Sequence, residues 1–237
     1  MSARPILGYY HQVRPEQSDP ELNGLGVAPQ SVVGHARMLM KAGYRLRTVS
    51  ETVAGGDANC AALTFDDGYA DNLEYALPAL AEIGAVGTIY VVASEIGRNG
   101  PSWMADTSGR NRLLTAAELS ELSATGWEIG SHCNTHQRLP TLSEKDQREE
   151  LRVSKERLED LLAGPVRSLS YPYGSYSEIT VRLAEELGYD NAVTTARRGG
   201  NGSRYAIVRL SLGGYGFRAV KQNTKLGLAI ARRRWLG

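Results

Sequence analysis

Short apolar runs recur along this chain with stretches of helical periodicity between them, and that alternation limits the fold to strands joined by helical crossovers. Pro5–Tyr10, Cys60–Phe65, Val86–Val92, Trp127–Gly130, Val166–Tyr171 and Asn191–Thr195 read as buried strands. Between them, Val32, Val33, Ala36, Leu39 and Met40 follow Ser31 as a plausible N-cap, and Leu73, Ala76, Leu77, Leu80 and Ile83 run up to Gly84. Thr115 and Glu118 form a capping-box pair ahead of Leu119 and Leu122. Leu151, Ser154, Leu158, Leu161 and Leu162 give Ser143–Leu162 one apolar face, with its charge run on a solvated one, and Glu178–Leu187 is helical too. The pattern predicts an α/β fold, a single-domain barrel of about seven parallel strands, with chemistry at the strands' carboxyl ends.

The chain has 237 residues, enough for one such barrel with a full core. Lys plus Arg number 27 against 26 Asp plus Glu, so no global field draws the protein to nucleic acid. Cys60 and Cys133 make neither a disulfide framework nor a paired metal motif and are expected to be reduced thiols. The apolar run after Met1-Ser2-Ala3-Arg4-Pro5 is too brief for a signal-peptide core, and no stretch approaches the ~20 apolar residues that cross a bilayer. A cytoplasmic location follows as the expectation. A loop is expected through Pro15, Asp19-Pro20, Asn23-Gly24 and Gly26. Residues 1–220 are expected to form the catalytic domain and 221–237 a basic tail. There Lys221, Lys225 and Arg232–Arg234 mix with Leu226, Leu228, Ile230, Trp235 and Leu236, either as a frayed helix or as a peripheral contact to a membrane or lipid-linked substrate.

Three strings carry the chemistry. Asp66-Asp67-Gly68 ends the Cys60–Phe65 strand, and a tight turn at Gly68 lets adjacent carboxylates reach one cavity in different roles. His132 and His136 are four residues apart, a spacing that brings two imidazoles together on a helix or short turn. No Glu stands between them in the metalloprotease pattern. Asp67, His132 and His136 therefore form a candidate two-His, one-carboxylate metal site with open positions. Asp66 is left as the candidate general base for a water molecule. Tyr173, between Pro172 and Gly174 on a rigid turn, is placed to offer its backbone N–H to an oxyanion.

With these motifs in view, the chain resembles the NodB-homology polysaccharide deacetylases, carbohydrate esterase family four, from about Ile6 to about Leu212. Thr64-Phe65-Asp66-Asp67-Gly68 matches the first motif, base then metal ligand; His132 and His136 match the second; Pro172-Tyr173-Gly174 match the third. The resemblance implies a distorted (β/α) barrel holding one divalent ion, zinc by family expectation, with cobalt, nickel, iron or manganese compatible with such ligands. Three departures stand out. Ser170 occupies the place of an Arg that orients the catalytic Asp, Cys133 replaces Ser or Thr after the first ligand His, and Leu210-Ser211-Leu212 lacks the usual late His acid. Tyr10-His11 resembles the start of a permuted, exopolysaccharide-associated branch, which makes His11 the candidate acid. His35, on the polar side of its helix, reads as a surface residue.

Tyr69, Trp103 and Pro172 are candidate substrate contacts, since a sugar offers an apolar face for stacking. The expected reaction is removal of acetyl from an N-acetylated amino sugar, in a polymer or in a lipid- or nucleotide-linked precursor. Two rivals are an amidohydrolase acting on small cyclic amides and a carbohydrate-binding barrel without turnover.

Overall fold

The computed structural model describes residues 5–15, 25–55, 59–104, 110–196, 203–215 and 217–234. The loop positions Asp19-Pro20 and Asn23-Gly24, and Trp235 and Leu236 of the tail, lie outside the described residues. The strands are β1 (Ile6–Tyr10), β2 (Gln12–Val13), β3 (Gly26–Val27), β4 (Arg45–Leu46), β5 (Cys60–Phe65), β6 (Thr88–Val91), β7 (Glu128–Ser131), β8 (Ser168–Ser170), β9 (Asn191–Thr194), β10 (Ile207–Val208) and β11 (Leu210–Ser211). The helices are α1 (Pro29–Lys41), α2 (Val49–Ala54), α3 (Leu77–Ala81), α4 (Ala116–Ala124), α5 (Glu144–Leu162), α6 (Glu178–Glu186) and α7 (Phe217–Arg234). Parallel strands with intervening helices bear out the expected class, an α/β fold of the distorted (β/α)-barrel kind. All six strands read from the sequence are present. The short β2, β3, β4, β10 and β11 were not legible, because two residues cannot show a period.

The chain forms two compact units, one of Met1–Phe65, Asp71–Thr88 and Leu210–Gly237, the other of Asp66–Ala70 and Ile89–Arg209. In the first, β4, β5, β1 and β11 lie side by side, with Gly8 of β1 paired to Leu63 on one side and Leu210 on the other. β5 is buried along its whole length, which explains why it reads as a continuous apolar run rather than an alternation. Gly8 is required by packing: a Cβ there would lie 2.3 Å from Leu212 Cδ1.

Two elements of this unit differ from expectation. α1 starts at Pro29 and is capped at Ala28, not Ser31, because proline at the first helical position is pre-set for the helix and gives up an N–H that has no partner there. The helix expected over residues 73–83 opens instead as a π-turn, Asn72–Ala76, before α3, where Pro78 interrupts the regular hydrogen-bond ladder.

α7 carries the described part of the tail. It is a regular helix packed on α1, with Leu226 and Ile230 buried, and the boundary expected at residue 220 falls inside it. Leu226 and Ile230 are thus spent within the unit while Val220 and Leu228 stay exposed, and among the described residues no helix is long and apolar enough to cross a membrane. The same packing buries His35, which is fully inaccessible, with Nδ1 2.9 Å from Tyr10 Oη. The expected surface assignment is overturned by α7, which covers that face of α1.

In the second unit β6, β7, β8, β9 and β10 are neighbours in that order, with Ser131 of β7 beside Leu169 of β8. α4, α5 and α6 pack around them. The capping box at Thr115 and Glu118 starts α4 as expected. α5 buries Leu151, Ser154 and Leu158 and turns Arg152 outward between Glu149 and Glu156, a solvated pairing of small energetic weight.

Burial lowers the pKa of the His35 imidazole to about 4 from an ordinary 6.5, so unfolding takes up a proton between those values. The stability contributed by the neutral ring is complete above pH 6.5 and is lost progressively as the pH falls toward 4. Unfolding free energies from urea denaturation between pH 7 and pH 4.5 should fall by up to ~1.4 kcal/mol per pH unit from this group, and His35→Asn should flatten that slope.

Candidate active site

The second unit gathers the motifs at the ends of its strands. β7 closes at Ser131 and delivers His132, whose Nδ1 lies 2.7 Å from the carbonyl oxygen of Ser170 at the end of the adjacent β8. Only a protonated Nδ1 can bond a carbonyl, so the neutral ring presents its lone pair at Nε2. The chain then turns through Cys133 at φ 65° and His136 at φ 61°. The four-residue spacing of the histidines is therefore that of a left-handed loop, not of a helix.

Glu150 of α5 braces this loop, accepting hydrogen bonds from the backbone N–H groups of Asn134 and Thr135 and from the Thr135 hydroxyl. Its position within a charge run disguised that role in the sequence. Cys133 is fully buried, its N–H donating to Ser131 Oγ at 3.2 Å, and both cysteines are free thiols as expected.

Asp67, at φ 74°, places Oδ1 3.5 Å from Nε2 of both His132 and His136. One ligand atom from each of the three lies within 4.8 Å of the others, and all three residues are buried. Two imidazole nitrogens converging on one carboxylate oxygen out of water form an acceptor cluster that a cation satisfies. The response of His132 shows the same demand: burial by itself would lower its pKa, but the hydrogen bond to Asp67 and the charges of Asp66 and Asp67 raise it above the usual value. The group fits a divalent metal ion.

Asp66 faces a different partner. Its two oxygens accept from Arg209 Nη1 at 2.7 Å and Nη2 at 2.8 Å, and the same Nη2 donates to Ser170 Oγ, also at 2.8 Å. Arg209 supplies the guanidinium that the third motif lacks, and the serine in its usual place completes the network. Sequence reasoning missed it because 143 residues separate the pair. The Tyr90 ring lies under the guanidinium at 5.4 Å, and Gly130 makes room for that ring, since a Cβ there would stand 2.5 Å from Tyr90 Cδ1.

Tyr173 holds φ 59° within the Pro172–Gly174 turn, and among the described residues its N–H donates to no protein acceptor. Gly174 cannot be replaced without strain, because a Cβ would fall 2.2 Å from Thr195 Oγ1. Four of the five described non-glycine residues at positive φ are Asp67, Cys133, His136 and Tyr173, and the fifth, Ala163, merely ends α5. Strain of about 1–3 kcal/mol apiece is thus concentrated where the chemistry-bearing side chains meet.

Of the expected substrate contacts, Trp103 stacks on His136 with ring centroids 4.1 Å apart and lines a cavity of about 400 Å³ together with His136, Arg138 and Tyr173. Pro172 is buried and fixes the turn. Tyr69 is fully buried, with its hydroxyl on Met104 Sδ at 3.4 Å. His11 belongs to the first unit, half-buried after β1, with its ring edge-on to Tyr9 and its carbonyl held by Asn72.

With this geometry in place, the family is clear. The polysaccharide deacetylase family model matches residues 54–192, more than half of the chain, and the chain belongs to that family. It is 31% identical over 197 residues to a Bacillus subtilis (strain 168) protein named "Putative polysaccharide deacetylase YxkH", a match covering 81% of this chain and 64% of that one. The chain thus spans less than two thirds of that relative. Two solved structures share the fold. The Streptococcus pyogenes deacetylase PplD, in complex with acetate, gives a TM-score of 0.75 at 22% identity over 94% of this chain and 98% of its own. IcaB from Ammonifex degensii gives 0.76 at 18% identity over 96% and 97%.

Removing the counter-charge of a buried carboxylate is costly, so Arg209→Met is expected to lower stability by about 3–5 kcal/mol in urea denaturation. The double variant Asp66→Asn/Arg209→Met should recover part of that loss, because the unneutralised charge is then gone too.

Proposed function

We propose that the protein is a metal-dependent deacetylase that hydrolyses the acetamide of an N-acetylated amino sugar to acetate and a free amine. The observation that carries this reading is the buried Asp67, His132 and His136 group, with a second carboxylate, Asp66, immediately before Asp67 in the chain and tied to Arg209. Family membership supports it independently. Asp67, His132 and His136 would hold the ion, with zinc the first choice. A divalent ion bound there supplies Lewis-acid polarisation of the acetyl carbonyl and acidifies water.

The chain's own residues do the rest. Asp66 takes the proton of the attacking water, and the bidentate grip of Arg209 with the Ser170 hydroxyl fixes the plane of its carboxylate for that transfer. The Tyr173 N–H is offered to the negative charge that develops on the acetyl oxygen, and the left-handed turn prepays the orientation. His11 is proposed as the acid that protonates the departing amine as the C–N bond breaks, a role resting on the Tyr10-His11 resemblance. Trp103, stacked on His136, supplies an apolar wall for the sugar.

The test is acetate release from chito-oligosaccharides, compared with hydrolysis of cyclic imides and ureides, by protein loaded with zinc. A chelator should abolish turnover and added zinc restore it. Asp66→Asn should lower kcat by about 10²–10⁴-fold while metal content measured by mass spectrometry stays at the wild-type level. Acetate release that survives Asp66→Asn would refute the assignment of the base, and turnover of the cyclic amides alone would move the substrate class.

A further inference from the structure

We propose that the cavity beside the metal-ligand group is an anion subsite, in which Arg138 selects acetamido sugars that carry a carboxylate or phosphate close to the scissile acetyl group. The inference rests on the deacetylase reading and adds its substrate class.

The guanidinium of Arg138 stands 4.1 Å from the centroid of the Tyr173 ring, and that ring is 4.7 Å from the His136 imidazole. Trp103 also stacks on His136, at 4.1 Å between ring centroids. An aromatic wall thus leads from a metal ligand to a fixed positive charge. Stacking occupies the flat face of a guanidinium and leaves its in-plane N–H fork available, which is the geometry that grips a carboxylate or phosphate through two hydrogen bonds.

The position is held from the backbone. The Arg138 carbonyl accepts from the Thr141 N–H at 2.9 Å and from its hydroxyl at 2.7 Å, and Leu139 between them is fully buried. Among the described residues Arg138 pairs with no carboxylate. Glu150 of α5, the acid that braces the histidine loop, is turned to three donors of Asn134 and Thr135. The other side chains that shape the cavity, Ser102, Thr135, Gln137 and Thr141, are neutral hydrogen-bonding groups suited to sugar hydroxyls. An exposed arginine held beside a strained catalytic-motif tyrosine, with no acid of its own, is complementary to a charge brought by the substrate.

The test compares zinc-loaded wild type, Arg138→Gln and Arg138→Lys on three substrates. Tetra-N-acetylchitotetraose is neutral, a glycan of alternating N-acetylglucosamine and N-acetylmuramic acid brings carboxylates, and UDP-N-acetylglucosamine brings phosphates. Wild type should prefer one anionic substrate over the neutral one by tenfold or more in kcat/KM, the preference weakening with salt. Arg138→Gln should reduce that preference at least tenfold, mainly through KM, and Arg138→Lys should restore part of it. The favoured anionic arm identifies the source of the charge. No preference for either anion, or equal losses on charged and neutral substrates in Arg138→Gln, would overturn the subsite.

Calorimetric binding of the same three compounds to Asp66→Asn protein, with and without Arg138→Gln, separates the two readings. A charge preference in binding that Arg138→Gln removes upholds the subsite even if no acetate is released. Acetate release without any charge preference sinks the subsite and leaves the deacetylase reading intact.

Discussion

A guanidinium locked by two hydrogen bonds onto a buried carboxylate is the interaction on which the site depends. Asp66 is out of water, and a lone anion there would be expensive; Arg209 neutralises it and fixes its plane. Arg209 itself needs support, which comes from the Tyr90 ring beneath it and from Ser170. Tyr90 in turn rests on the missing side chain of Gly130 and hydrogen bonds to Ser168, whose hydroxyl donates to Asn191. A chain of small polar residues on β8 and β9 therefore holds the Asp66 carboxylate through Arg209, and that is why strands read as apolar carry Ser168, Ser170 and Asn191 fully buried.

The metal-ligand group is arranged on a different principle. Adjacent Asp66 and Asp67 part company because Asp67 takes a left-handed backbone, so one carboxylate meets the arginine and its neighbour meets two imidazoles. Left-handed backbone at Cys133 and His136 then folds a four-residue interval into a ligand pair without a helix. The cost of these conformations is met by anchors elsewhere: Ser170 on the His132 ring, Glu150 on the loop, and Thr195 closing over Gly174. Strain and its compensation lie within one compact unit, which lets the site be preorganised rather than assembled on binding.

Much of the architecture was legible because it obeys simple periods. Buried parallel strands announce themselves as unbroken apolar runs, and β1, β5, β6, β7, β8 and β9 fall where those runs do. The capping box of α4 was equally plain. The α1 start was misread because a serine offered a cap that Pro29 pre-empted two residues earlier. His35 was misassigned because an imidazole is compatible with both core and surface, and only the packed neighbours decide.

Residue identity alone determined the candidate metal-ligand set: one carboxylate and two imidazoles at strand ends, with a spare carboxylate adjacent in the chain and a Pro-Tyr-Gly turn. Those groups have few other reasons to recur in that order, so local sequence sufficed. Tertiary structure alone decided that Arg209 replaces the absent motif arginine, that Glu150 braces the histidine loop, that α7 covers His35, and that Arg138 stands over Tyr173. Each is a contact between residues far apart in the chain or on turns of irregular backbone, where neither period nor spacing carries information and only the packed fold brings the partners within bonding distance.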